Sequence, residues 1–446
     1  MAVHPIEHRY GTPEMRAVWS EEHRFSCIVA VEVALARALA IHGLIPEEAA
    51  RQIESCAPLA SMARAREIEV EIGHDVMAIV KAISEVCGEA GSYLHYGATS
   101  NDMLDTATAL QLRESLELIE EKLLGLLRIL LERADETKEL VCAGRTHGQI
   151  GVPTTYGLRF AIWAAEVARH LERLRELRPR VVVGKLTGAV GTQAALGEKG
   201  AEVQQSMMKL LRIGSVEVSN QVIQRDRYAE YFFLLANIAT TLDKIAISIR
   251  TLQRTEIGEV EEAFGKKQVG SSTMPHKRNP VKSEQISGLA RIVRAAVEPA
   301  LLNNTLWDER DLTNSSPERI LFPEASILAD HLLATMTRVL HGLVIRKGKV
   351  KANLGLLGGI NMAEAVMIEL TGRGMNRQDA HERIRCASMQ AYEEGLPLIE
   401  VLSRDRELMK HISREELELI LTPERYIGTA VRQVERVVAR LSPLCS

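Results

Sequence analysis

Residues 270–280 read GSSTMPHKRNP. The stretch puts two serines, a threonine, a histidine, a lysine, an arginine and an asparagine between a glycine and a proline. Gly270 permits a tight backbone, while Pro275 and Pro280 each remove an amide donor and fix φ. The remaining amides around Ser271, Ser272 and Thr273, backed by Lys277 and Arg278, make a cradle for an anion. The competing reading is a solvated surface loop, which leaves this density of polar and ring-constrained residues without a purpose. The segment is also long enough to close over a site as a lid.

Three further polar, helix-breaking islands stand out: EIGHDVM with YLHYGATSNDMLDT, then GRTHGQIGVPTT, then WDERDLTNSSPERI. An isolated histidine is more often structural than catalytic. His147, however, sits among Arg145, Thr146 and Gln149, and on residue chemistry alone it is the default general base. In GHD, Asp75 can orient or charge His74, or His74 can simply start a helix; both readings stand. In the last island, Arg310 and Arg319 can clamp an oxyanion through their planar forks, or can form ion pairs at a polar cap. The run GKLTGAVGTQAALGEKG lacks both GxxxxGK[ST] and a GxGxxG after a strand, so it reads as close packing or a site-lining turn. His4 and His8 flank Pro5, which opposes a metal-binding helix. These islands point to acid–base chemistry on a substrate with several anionic groups, with no metal and no cofactor.

The islands need a scaffold. Aromatics are only 4% of 446 residues, so the core must be mostly aliphatic, which suits packed helices. Leu112, Leu116, Ile119, Leu123, Leu126 and Leu130 follow steps of four and three along one long helix. Tyr231, Leu235, Ile238, Leu242, Ile245, Ile249 and Leu252 do the same on another. A third helix is expected between Pro153 and Pro179, and a fourth from about Glu284. Ser100 or Asn101 is the expected N-cap of the first long helix, and Gly43 the end of an earlier one. Such stripes imply a central bundle, with boundaries near residues 99 and 350. The net charge of −4 argues against nucleic acid as a partner. No apolar run is expected to cross a bilayer, and MAVHPIEHRY has no apolar signal core, so the expected location is the cytoplasm. None of the six cysteines forms a CxxC pair, and free thiols are expected.

GSSTMPHKRNP resembles the signature loop of the fumarase/aspartase superfamily. HPIEHRYGTPEM, EVEIGHDVMAIVKA, HYGATSNDMLDT, GRTHGQIGVPTTYG, NQVIQRDRYAE and ERDLTNSSPER, in that order, resemble its adenylosuccinate lyase family over nearly the whole chain. The resemblance implies an all-α fold of three domains, here 1–99, 100–350 and 351–446, whose middle long-helix bundles build the core of a homotetramer. It also implies active sites shared among three subunits and small nucleotide substrates. The implied reaction is β-elimination of fumarate from adenylosuccinate and from the succinyl-aminoimidazole carboxamide ribotide.

Matched position by position, the resemblance implies that Ser271 is the catalytic base and His147 the acid, reversing the default reading. Glu284 then holds His147, and Lys277 assists Ser271. His74 becomes a second active-site histidine beside Asp75. Arg9, Tyr10, Arg310, Ser315 and Arg319 match the phosphate and ribose side. Thr99, Ser100, Gln221, Ser272, Lys277 and Asn279 match the succinyl side. Gln285 stands where some members have arginine, which leaves that contact without a counterpart. Carboxymuconate cycloisomerases share a similar loop, but HRYGTPEM and GHD favour the nucleotide lyase. MPGKVNP and MPQKKNP, usual in fumarases and aspartases and in argininosuccinate lyases, differ from His276-Lys277-Arg278 at His276 and Arg278. A non-catalytic scaffold would not need every matched position filled.

Overall fold

The computed structural model of the chain describes residues 4–265, 267, 270 and 272–445. Among these residues helices dominate, and the strands form three two-stranded pairs. The long helices are Ser100–Glu136, Tyr156–Val181, Asp226–Leu252 and Ser315–His341. Their stripes are buried as the spacing requires: Leu112, Leu116, Ile119, Leu126 and Leu130 are all 0% exposed.

By contact the chain divides into two compact units. The first comprises residues 1–123, 169–242 and 287–334. Within it, the Tyr231 hydroxyl lies 2.8 Å from that of Ser115 and 2.7 Å from that of Ser326, joining three long helices. His170 Nε2 lies 2.8 Å from Thr241 Oγ1 and ties in the fourth. Phe322 packs against Trp19, Tyr228 and Phe232, with ring centroids 5.4, 5.1 and 4.9 Å away. The shorter helices Glu21–Ile41, Glu47–Cys56 and Asp75–Cys87 share a core that includes Leu35, Leu39, Ile53 and Ile83.

The second unit comprises residues 124–168, 243–286 and 335–446. It holds the antiparallel hairpin Val141–Thr146 with Gln149–Thr155, and the short antiparallel pair Val260–Glu261 with Val344–Ile345. Its C-terminal helices close on Val366, Leu370, Ile384, Leu398, Leu402 and Leu417.

Several expectations need correction. GRTHGQIGVPTT is largely strand, and Pro153 sits in the ribbon opposite Ala143. A two-stranded ribbon has only edges, where a residue without an N–H is tolerated. The helix that follows begins at Tyr156, with Pro179 in its last turn, and ends at Val181. The next expected helix starts at Val281, stops at Ala295 and resumes over Val297–Leu302. The N-cap at residue 100 or 101 moves to Thr99, because Asp102 Oδ2 reaches back to accept from the Thr99 N–H at 2.8 Å. Gly43, with φ of 67°, follows the helix Glu21–Ile41 as expected.

One helix, Asp226–Leu252, is long and apolar enough by composition to span a bilayer. Tyr231, Leu235, Ile238, Leu242, Ile245 and Ile249 on it are nevertheless buried in the protein, which makes it a core helix.

All six cysteines are free thiols. Burial pushes Cys27 up to about 12 and Cys87 and Cys142 up to about 11, whereas Cys386 is exposed. Since the thiolate is the nucleophile, iodoacetamide at pH 8 is expected to modify Cys386 in the native protein. It should reach Cys27, Cys87 and Cys142 only after denaturation. Peptide mass spectrometry reads the difference, and native labelling of Cys27 would contradict the packing described.

Candidate active site

The first unit contains a cleft of about 180 Å³ built around one buried arginine. Arg225 and Asp105 are each 3% exposed at the side chain, and Glu318 is 14% exposed. Arg225 donates from Nη2 and Nη1 to Asp105 at 2.9 and 3.1 Å, and from Nε and Nη2 to Glu318 at 2.8 and 3.2 Å. Burial opposes the charge on Arg225, but Asp105 and Glu318 outweigh it and raise its pKa. Burial also pushes the Glu318 carboxyl up, and the attraction of Arg225 only partly opposes this.

Three of the sequence-predicted residues line this cleft: Arg310, Ser315 and Arg319. Arg310 donates from Nη1 to Gln221 Oε1 at 3.0 Å, and Gln221 donates in turn to the Ala189 carbonyl at 2.7 Å. With the Asn101 amide oxygen turned toward Arg310, it accepts from Nε at 3.0 Å and from Nη1 at 3.2 Å. Arg319 donates to Asp75 Oδ2 at 2.5 Å. Burial pushes the Asp75 carboxyl up, but the Val76 N–H and Arg319 more than offset it and leave it below the usual carboxylate range. Asp75, Gln221, Arg310 and Arg319, far apart in sequence, are thus joined in bonded pairs within one unit. His74 caps the helix Asp75–Cys87, its Nδ1 accepting from the Met77 N–H at 3.4 Å, and its ring is half exposed. Tyr10 packs against the His331 ring at 5.4 Å, and Arg9 is exposed; neither lines the cleft.

Thr99, next to Ser100, is held by a second buried knot. Lys185 and Asp102 form an ion pair with both side chains 0% exposed. Asp102 also accepts from the backbone N–H groups of Thr99, Thr187 and Gly188 at 2.8, 2.9 and 3.1 Å. Four donors on one carboxylate pin the glycine-rich run to the start of the helix Ser100–Glu136. The glycine content serves close approach here: a Cβ on Gly184 would lie 2.4 Å from Met208 Sδ.

The second unit holds the remaining candidates. His147 and Gly148, with φ of 53° and 77°, form the two-residue tip of the hairpin. Two positive φ values in a two-residue loop are the geometry of a type I′ turn, and this places His147 at an exposed point. In the signature loop, the Lys277 N–H donates to the Met274 carbonyl at 3.0 Å, and Asn279 Nδ2 donates to the Gly270 carbonyl at 3.1 Å. The Arg278 guanidinium lies over the Phe264 ring at 5.1 Å. Ser272, Lys277 and Glu284 are exposed. Ser271, the expected base, lies outside the described residues. Among the described residues, His147 and Glu284 make no hydrogen bond to each other. No group of three or more His, Cys, Asp or Glu side chains among them could hold a metal ion.

Sequence reasoning missed Asp102, Asp105, Lys185 and Arg225. It also missed His95, whose Nδ1 lies 2.7 Å from the fully buried Glu32 at a φ of 60°. Each lies inside a stretch that drew notice for a neighbour. For Asp102 and Asp105 the available signal was the charge itself, at positions that the stripe on Ser100–Glu136 places inside; for Lys185, Arg225 and His95, outside the helices, no such pattern exists.

Comparison with known proteins gives the class. A family model described as Lyase matches residues 8–295, and the chain belongs to that family and is a lyase. A second model, Adenylosuccinate lyase C-terminus, matches residues 359–437. Adenylosuccinate lyase of Archaeoglobus fulgidus is 52% identical over 98% of both chains. That of Methanocaldococcus jannaschii is 53% identical over 99% of this chain and 96% of its own. Within the lyases, the chain therefore belongs to the adenylosuccinate lyase family. Two solved structures share the fold at lower identity. A fumarate lyase from Mesorhizobium sp. BNC1 is 34% identical with a TM-score of 0.90, covering 96% of this chain and 98% of its own. A 3-carboxy-cis,cis-muconate lactonizing enzyme from Pseudomonas putida is 33% identical with a TM-score of 0.89, covering 98% of each.

Removing the arginine from such a buried cluster costs about 3–5 kcal/mol, because the carboxylates around it are left uncompensated. Arg225→Ala is therefore expected to lower the unfolding free energy by about that amount, measured by urea titration. A loss within about 0.5 kcal/mol, the usual scatter of surface changes, would show that the cluster does not hold the cleft.

Proposed function

We propose that this chain cleaves adenylosuccinate to AMP and fumarate, and the succinyl-aminoimidazole carboxamide ribotide to its carboxamide and fumarate. The observation that carries this reading is the near-full-length identity of 52–53% to adenylosuccinate lyases.

In this reaction a base removes a proton from the succinyl carbon next to a carboxylate, and the carbanion's charge spreads into that carboxylate. The C–N bond then breaks, its electron pair goes to nitrogen, and an acid protonates that nitrogen. Ser271 is the base in this proposal, and His147 the acid, oriented by Glu284. A free serine is a poor base, so its proton is made labile by neighbouring amides and Lys277. Cations and fixed amides of the loop 270–280 meet the developing carboxylate charge. Arg9, Tyr10, His74, Asp75, Arg310, Ser315 and Arg319 hold the phosphate and ribose. Thr99, Ser100, Gln221, Ser272, Lys277 and Asn279 hold the succinyl part.

The proposed assembly is a cytoplasmic homotetramer, each chain having three domains with boundaries near residues 99 and 350, and each site drawing on three subunits. Two features support sharing: His147 sits exposed on a hairpin tip, and Glu284 is exposed without contacting it.

Ser271→Ala and His147→Ala are each expected to lower turnover of adenylosuccinate by roughly 100- to 10,000-fold. Ultraviolet absorbance, with chromatography of AMP and fumarate, reads the loss; near-normal turnover in either variant would remove its assigned role. Mixing the two inactive variants is expected to restore part of the activity after subunit exchange, and no recovery would argue against shared sites. Turnover of 3-carboxy-cis,cis-muconate in place of adenylosuccinate would move the chain to the other chemistry housed on this fold.

A further inference from the structure

Residues 259–262 read EVEE and are almost wholly buried: Glu259 is 0% exposed, Val260 2%, Glu261 7% and Glu262 9%. Three carboxylates in four residues are costly to bury unless each is paired, and each here has its own partners. Glu259 accepts from Arg145 Nη2 at 2.5 Å, from the Tyr156 hydroxyl at 2.6 Å and from Asn353 Nδ2 at 2.9 Å. Arg145 is two residues before His147 in the hairpin, and Tyr156 opens the helix after it. Glu261 accepts from Arg278 of the signature loop at 2.8 Å, and also from Arg346. Glu262 accepts from the Ser283 N–H at 2.7 Å, the Ser283 hydroxyl at 2.6 Å and the Lys282 N–H at 3.1 Å. It thereby caps the first turn of Val281–Ala295, which carries Glu284. The strand is itself fixed: Val260 pairs with Ile345, and the Arg346 N–H donates to the Glu259 carbonyl at 2.8 Å.

We propose that Glu259, Glu261 and Glu262 are positioning residues. Each aligns a different piece of the catalytic apparatus: the His147 hairpin, the signature loop through Arg278, and the helix bearing Glu284. The carboxylates act through these partners and do not touch substrate. The assignment rests on the elimination reading for its catalytic consequence and on the hydrogen bonds alone for its mechanical one. The mechanical claim is specific: one four-residue segment serves three elements through three separately addressable side chains. A glutamine keeps the shape but cannot supply the charge that a guanidinium needs, so Glu259→Gln and Glu261→Gln, which face Arg145 and Arg278, should each loosen one element and leave the others.

The test combines hydrogen–deuterium exchange with kinetics on the full-length protein. Glu259→Gln is expected to speed exchange in peptides covering 141–155 but not 272–280, and Glu261→Gln the reverse. Each is expected to lower kcat at least tenfold with KM for adenylosuccinate changed less than threefold. Glu261→Gln combined with Arg278→Gln is expected to lose no more than Glu261→Gln alone. Glu261→Asp is expected to recover part of kcat. Unchanged exchange in the addressed element, or equal loosening of both, would overturn the proposal. So would a kcat within twofold of wild type in a variant whose Tm has fallen, since that is what purely structural support predicts. If the unmodified protein does not cleave adenylosuccinate, the proposed function fails by itself, and the exchange pattern still decides whether the segment positions these elements. Should a Gln variant fail to fold, exchange in Arg278→Gln and Arg145→Gln addresses the same contacts from their exposed or partly exposed ends.

Discussion

The cleft rests on Arg225, held in the protein interior between Asp105 and Glu318. A bundle of aliphatic stripes leaves charge few places to go, because an unpaired ion inside it is prohibitively costly. The three groups come from the helix Ser100–Glu136, from the residue just before Asp226–Leu252, and from Ser315–His341. Their mutual satisfaction therefore fixes how three helices meet. It also leaves one negative charge in excess at the floor of the cleft. Arg310 lines the same cleft: burial pushes its pKa down, Arg225 adds to this, and Asp105, Asp75 and Glu318 only partly oppose it. An arginine held in place by fixed groups, and not by a flexible partner, is well suited to meet an incoming anion without reorganising.

Asp102 applies the same principle one turn away. A carboxylate that accepts four hydrogen bonds, one from an ammonium group, cannot shift without losing all of them at once. It aligns Thr99 and the run from Lys185 to Gly188 as a single piece. The glycines of that run and the residues before the long helix, which read as two separate islands, are one structural object.

The parts of this molecule legible in the sequence are those set by periodic burial and by backbone chemistry. The stripes on Ser100–Glu136 and Asp226–Leu252 are read directly, because one apolar face must be hidden. The loop 270–280 is legible because glycine and two prolines exclude a helix. The hairpin around His147 is not, since RTHGQIGVP shows no alternation. Its strand character depends on positive φ at His147 and Gly148, and a histidine gives little warning of that. Thr99 as N-cap was hidden for a related reason: Ser100 and Asn101 are both good caps, and only the backward reach of Asp102 selects between the three. EVEE was the least legible of all. Glutamates in a row read as a solvated helix face, and nothing local says that Arg145, Arg278 and Ser283 will converge on them. Long-range pairing of charge is invisible to any rule based on neighbours in sequence.

The same physics bears on assembly. Preorganised charges stabilise a transition state strongly only where water is kept out. In one chain Lys277 and Glu284 are exposed to solvent, so their charges are screened, and His147 is exposed as well. The chain also leaves large apolar side chains in water: Trp307 is 81% exposed, Leu312 67% and Ile320 62%. Apolar surface of that kind gains stability when covered, at about 25 cal/mol per Å². Each condition asks for the same remedy, a neighbouring protein surface. In the proposed homotetramer such a surface would come from another copy of the chain.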